Sequence, residues 1–382
     1  MERLYWNNDW KFAETWEEAM KEAVYPENEM EDVRLPHTCK ELPYHYFDEH
    51  AYQMLCGYRR HFMAPEAWQG KSVELTFEGV AHDAVVYVNG TEVKAHHCGY
   101  TAFSVELAKY LKYGEDNVLA VRVDSRENLN IPPFGYAIDY MTFGGMYREV
   151  YVQVRNKTHL ADVFVKSQIH PLQVTTEITV QNISDGITLQ QEIRKKGEGA
   201  YSPLGQKPVK QANVQTVFPV QEICLWEPEN PHLYEIRTSL WKNGEMIDAR
   251  VDITGFREAG FRKDGFYLNG KKLRLRGLNR HQSYPYVGYA APASMQIFDA
   301  DILKKELGVN AVRTSHYPQS QDFIRRCDEI GLLVFTEFPG WQHIGDEIWK
   351  KQAVENVKDM VEQYRNHPSV ILWGVRINES GD

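Results

Sequence analysis

From residue 259 onward, short apolar runs alternate with segments of helical periodicity, and this alternation constrains the fold more than any other feature of the chain. The last run, Val370-Ile-Leu-Trp373, is continuous and partly β-branched, as expected of a strand buried on both faces of a parallel sheet. Leu332 to Glu337 and Asn310 to Thr314 read as two further strands, and the segment from Leu273 to Gly277 as the first. Between them, Ser294 is placed to cap a helix ending at Gly308, and Ser320 a helix ending near Gly331. Residues 347 to 365 show an amphipathic helix with Val354, Val357, Val361 and Tyr364 at helical spacing. Four strands with three crossover helices make half of an eight-stranded (β/α)8 barrel. A doubly wound open sheet is the alternative, but no glycine-rich phosphate loop opens any of these helices.

The first 258 residues follow a different rule. Ser72 to Phe77 and Val118 to Val123 alternate with period 2, and Asn89-Gly90 marks a hairpin. Val174 to Val180 alternates again, and Asn243-Gly244 and Asn269-Gly270 mark two more hairpins. Gln190 to Ala212 is polar and contains Gly and Pro, so an exposed loop is expected there. The fold class is therefore multidomain β plus α/β. It comprises a jelly-roll β-sandwich over 1–154, an immunoglobulin-like β-sandwich over 155–258, and the first half of a TIM barrel over 259–382.

A net charge of −10 with no basic tract argues against nucleic acid or an anionic membrane as partner. No apolar signal core opens the chain and no run reaches transmembrane length. The five cysteines are scattered without a CxxC pair, which gives neither a disulfide framework nor a zinc site. A cytoplasmic location is the simplest reading. Aromatic residues make up 12% of the chain; they suit either sandwich cores or platforms for sugar rings, and composition favours the former.

Every strand of the last region ends in polar residues: Asn279, Arg280 and His281; then Arg313, His316 and Tyr317; then Glu337; then Asn378 and Glu379. In a barrel these converge at one mouth, where such enzymes place their chemistry. Glu379 can serve as a general acid, with Asn378 beside it on a sugar hydroxyl. His281 and His316 can contact hydroxyls, and Arg313 can orient a carboxylate. Each of these residues, taken alone, could equally be structural.

The segments Asn310-Ala-Val-Arg-Thr-Ser-His-Tyr-Pro318 and Cys327-Asp-Glu-Ile-Gly-Leu-Leu-Val-Phe335 resemble the signature of glycoside hydrolase family 2. So do the ending from Asn366 to Glu379, Gly277-Leu-Asn-Arg-His-Gln282, Tyr58-Arg-Arg60 and Gly144-Gly-Met-Tyr-Arg-Glu-Val150. The resemblance implies a retaining β-glycosidase with two glutamates. Glu379 would be its acid/base, Asn378 the contact to the 2-hydroxyl, and His281, His316 and Glu337 further sugar-site residues, supported by Arg313 and Tyr317. Asp139, six residues before Gly145, matches an aspartate that reaches the sugar site in the β-galactosidase branch, which tilts the expectation toward β-galactosides. β-Glucuronidase activity and a non-catalytic carbohydrate-binding fragment are the alternatives.

Three departures from the family pattern stand out. An extra residue separates Trp373 from the Asn-Glu pair, so a bulge is expected at the strand end. Pro339 occupies the histidine position of a Glu-x-His magnesium motif, so no cofactor is expected and magnesium is doubtful. The nucleophilic glutamate belongs to a later strand, so this chain by itself is expected to be inactive. The full-length protein is expected to form a homo-oligomer.

Overall fold

The structure, a computed structural model, describes residues 3–45, 48–377 and 380. Asn378 and Glu379, the expected acid/base pair, lie outside the described residues. No helix among the described residues is long and apolar enough to cross a membrane.

The N-terminal unit packs two antiparallel sheets face to face. One has four strands in the order Leu4–Tyr5, Val150–Arg155, Ser72–Phe77, Phe103–Glu106. The other has six, with Leu55–Met63, Asp116–Asp124 and Asp83–Val88 at its centre. Val73, Leu75 and Phe77 point into the shared core as their alternation requires. Asn89 and Gly90 both take positive φ (50° and 83°), the two-residue turn geometry that matches strand twist. Asp116–Asp124 does not alternate: Val118 through Val121 are all buried, because Trp16, Met20 and Tyr87 cover the second face of this central strand.

The second unit is also a sandwich, of three and four antiparallel strands. The expected loop over 190–212 is instead largely sheet, with strands Ile187–Lys195 and Ser202–Pro208. Its polarity misleads because Gln191 is a core residue, bonded to Thr238 on the adjacent strand and to Thr176 and Thr216 on the facing sheet. Pro203 and Gly205 are tolerated because Ser202–Pro208 is an edge strand.

After a small antiparallel sheet (259–273), four parallel strands follow in sequence order: Gly277–Asn279, Ala311–Thr314, Leu333–Glu337 and Val370–Gly374. The first parallel strand thus begins at Gly277, since Lys271–Leu273 closes the Asn269-Gly270 hairpin instead. Three helices fill the crossovers: α1 (Ala293–Asp301), α2 (Gln321–Ile330) and α3 (Glu347–Tyr364). Ser294 lies inside α1 rather than capping it; Pro292 is the N-cap, with the fixed φ that suits a helix start. Ser320 does cap α2, accepting from the Asp322 amide. Gly331 ends α2 at φ +70°, and a Cβ there would sit 2.2 Å from the Pro228 carbonyl oxygen, so the second sandwich seats directly on this cap. On α3, Trp349, Asn356, Met360 and Tyr364 are buried and Val357 packs against the same core, so of the expected face Val354 is the residue left in solvent. Val334 pairs with Val370 and Phe335 with Leu372, which leaves Ile371 as an extra residue. A bulge therefore exists on the fourth strand ahead of Trp373, whereas the expected one, between Trp373 and the Asn-Glu pair, runs into residues outside the described ones.

Candidate active site at the barrel mouth

Sheet register assembles the polar cluster. Arg313 pairs with Phe335, so its side chain shares a face with Glu337, two residues further along the third strand. Arg313 Nε donates to Glu337 Oε1 at 2.7 Å, and His316 Nδ1 lies 3.0 Å from Oε2. Glu337 is 1% exposed, so its charge depends on these two partners in place of water. With the His316 Nδ1 hydrogen committed to Glu337, the 3.4 Å approach of Arg313 Nη2 to that nitrogen is a contact between neighbours of one carboxylate.

The residues after the first strand divide in role. Arg280 turns away from the mouth and binds Asp299, Gln296 and Gln319, fastening the strand end to α1 and the second crossover. His281 turns toward it, with Nδ1 3.1 Å from the Tyr317 hydroxyl and its ring 5.7 Å from that of His316. Burial, aided by repulsion from His316, pushes the His281 pKa down to about 4, and the Asp139 carboxylate acts weakly in the opposite sense. His281 is therefore neutral near pH 7. Tyr317 is fully buried and stacks on Tyr100 at 4.4 Å, so it holds His281 from behind.

The jelly roll completes the mouth. Its loop 131–143 brings Asp139, which is exposed, and Tyr140. The Tyr140 ring packs 5.0 Å from His281, 6.0 Å from His316 and 5.4 Å, edge to face, from Trp341. Trp341 itself covers His316 at 5.0 Å and donates from Nε1 to the Ala137 carbonyl at 2.9 Å. Gly135, at φ +119°, lets this loop close on the barrel: a Cβ there would lie 2.3 Å from His343. Tyr140 and Trp341 escaped the sequence reading. The one available signal was position, Tyr140 next to Asp139 and Trp341 in the turn that follows Glu337.

The expected residues Asp139, His281, Arg313, His316, Tyr317 and Glu337 thus lie in one cluster. Both Glu337 oxygens are engaged and Pro339 offers no ligand, so the described residues do not fit the Glu-x-His magnesium site. A cavity of about 700 Å³ lies elsewhere, at the junction of the three units. Ion pairs such as Arg365–Asp162 and Arg250–Asp252 line it, and none of the strand-end cluster does.

Comparison with known proteins bears on the domains of the chain. Residues 31–155 match the sugar binding domain of glycosyl hydrolases family 2, residues 158–257 the domain described as glycosyl hydrolases family 2, and residues 260–382 that family's TIM barrel domain. A β-galactosidase of Thermoanaerobacter pseudethanolicus is 46% identical over 99% of the chain and 52% of its own length. One from Thermoanaerobacterium thermosulfurigenes is 44% identical over 98% and 54%. The crystal structure of a Bacteroides uniformis β-glucuronidase superposes with a TM-score of 0.90 at 28% identity, over 97% of this chain and 46% of that one. The chain spans about half the length of the curated relatives it matches.

Proposed function

Because the chain belongs to glycoside hydrolase family 2, we propose that it is the N-terminal portion of a retaining β-glycosidase acting on terminal β-galactosides, with Glu379 as general acid/base. The observation that carries this reading is the convergence of His281, His316 and Glu337 on one mouth beneath the jelly-roll residues Asp139 and Tyr140.

A neutral glycone suits the lining better than a uronic acid. Arg313 is engaged by Glu337, His281 is neutral, and Asp139 brings a negative charge to the rim. Among the described residues, a glucuronide carboxylate would be desolvated beside these groups without a cation given over to it. His281 Nδ1 pairs with the Tyr317 hydroxyl, which leaves Nε2 for a sugar hydroxyl.

In the double displacement, Glu379 protonates the departing glycosidic oxygen and later takes a proton from water, with Asn378 on the 2-hydroxyl. Its partner carboxylate stands about 5–5.5 Å away. Glu337 does not suit the nucleophile's part, because both of its oxygens are occupied and the group is buried. Its part is to fix His316 and Arg313. The chain assayed alone on a nitrophenyl β-galactoside is therefore expected to be inert; turnover at ordinary enzyme rates contradicts the reading.

In the full-length protein, Glu379→Gln should cripple substrates with poor leaving groups and spare the first step on activated aryl glycosides. Azide should then restore turnover by attacking the glycosyl-enzyme. Equal loss on both substrate types with no response to azide removes the assignment.

A further inference from the structure

Asp139 and Tyr140 reach the barrel mouth on a stretch of chain with no regular structure to hold it. Residues 135–143 belong to no helix or strand, and among the described residues no backbone-to-backbone hydrogen bond reaches them. Main-chain amides and carbonyls in a packed loop need other partners, and here side chains supply them. Thr142 is held from within the jelly roll. Its amide donates to the Tyr52 hydroxyl at 3.0 Å, and its carbonyl lies 3.0 Å from His82 Nε2. The arc ahead of it is held from the barrel segment. Trp341 Nε1 donates to the Ala137 carbonyl at 2.9 Å, and the Tyr289 hydroxyl donates to the Met141 carbonyl at 2.6 Å. These donors stand on the third and the first crossover, and they bracket Asp139 and Tyr140.

The two pins differ in what else they touch. Trp341 covers His316 and so forms part of the mouth itself. Tyr289 is 1% exposed, and its ring stands among those of Tyr100, Phe143, Tyr147 and Tyr317, at 5.3–5.9 Å. A phenol enclosed in this way holds its hydroxyl in one place, which makes it a fixed post for the loop.

We infer that Tyr289 is a positioning residue for the glycosidase reaction: through the Met141 carbonyl it fixes the arc 137–141 and so sets where the Asp139 carboxylate stands against the glycone. The inference rests on the β-galactosidase reading above and adds to it a residue set behind the mouth. Misplacing a contact group by about 1 Å weakens its hold on substrate. Deleting the Tyr289 hydroxyl leaves the ring cluster in place and releases the Met141 carbonyl alone.

The test uses the full-length protein, nitrophenyl β-galactoside and the variants Tyr289→Phe, Asp139→Asn and both together. Tyr147→Phe is the matched control. It too removes a buried phenol that donates to a carbonyl at 2.6 Å, that of Gly99, away from the loop. Tyr289→Phe should lower kcat/KM roughly three- to tenfold, the range of one hydrogen bond, and the loss should be carried by KM. Tyr147→Phe should lower Tm to a similar extent and leave KM as it was. In the double variant the loss should fall short of the product of the two single losses, because Asp139 is already out of place. Tyr289→Phe with the KM of the parent, or losses that multiply, overturns the inference. So does an Asp139→Asn variant as active as the parent. A parent inactive on the galactoside refutes the β-galactosidase reading itself, and the inference falls with it.

Discussion

The jelly roll and the barrel segment solve the problem of burial in opposite ways. The jelly roll closes two sheets on one continuous core, from Trp6 through Val152, and that core extends past its own sequence to include Tyr289, Ala290 and Tyr317 of the barrel segment. The barrel segment has a smaller core of its own between the sheet and the helices, while Leu278 on its first strand and Leu372 on its fourth are 48% and 37% exposed. These two strands are the edges of the four-stranded sheet. What holds the segment is its seams. Arg148 joins its Gln282 and Pro318 to the jelly roll, and Asn366 bonds to Val163 and Val165 of the second sandwich. Arg257 donates to the carbonyls of Pro368 and Val370. The comparison teaches that a set of barrel strands can be ordered from outside, by neighbours that grip its loops.

The largest effect should come from cutting the first seam. Arg148 is buried and donates to the carbonyls of Glu78, Tyr100 and Pro318 and to the Gln282 amide oxygen. Arg148→Met strands these acceptors without water and should cost about 3–5 kcal/mol, read as a lower first transition in thermal or denaturant unfolding. A variant as stable as the parent would show that the seam carries little.

Next, limited proteolysis should cut first within 259–382 and leave a fragment of about 1–258, with earliest cuts near the exposed strand Gly277–Asn279 and the N-terminal turn of α3 rather than in the gripped loops around Tyr289 and Tyr317. Cuts in either sandwich ahead of the barrel segment would invert the comparison.

A smaller effect separates the regions by pH. Burial pushes His82 in the jelly roll down to about 4. Its folded state binds fewer protons than its unfolded state between that value and the ordinary histidine range. Its contribution is therefore complete above pH 6.5 and lost on acidification. Glu78 lies where the jelly roll meets α2, its carboxylate grouped with those of Glu149 and Asp322, with Arg3 at 3.4 Å and Arg325 on Asp322. Burial, reinforced by Glu149, pushes it up to about 7. Here the folded state binds more protons, so stability falls as pH rises from the carboxylate range toward 7. Glu78→Gln should remove that fall, on the order of 1–3 kcal/mol, and leave the acid limb intact. An identical pH–Tm curve would show that this joint does not titrate.

The smallest effect is expected at Leu278→Ser, within about 0.5 kcal/mol of the parent, because that side chain is half in water.

How far the sequence could be read follows from how local each cause is. The three Asn-Gly hairpins were legible because a two-residue turn is decided by its own φ values. The strand-end cluster was legible because parallel strands bring their C-terminal ends together whatever the rest of the fold does. Gln191 was misread as loop because the threonines that satisfy it lie 15 to 47 residues away. Tyr140 and Trp341 were invisible for the same reason on a larger scale: the bond that places the loop pairs residues 204 apart. Val354 was misassigned because helical periodicity gives a face and leaves its width open, and here the larger Trp349 and Met360 take the core side.

The shared core has a consequence for the time course of synthesis. The last jelly-roll strand ends at Arg155, while Tyr317, which stacks on Tyr100, follows 162 residues later. At about 5–20 residues per second, roughly 8–30 s pass between the two. Through that interval the nascent sandwich presents Tyr100 and Tyr147 as an open aromatic socket awaiting its plug, a window in which a chaperone or a second nascent chain can compete for it.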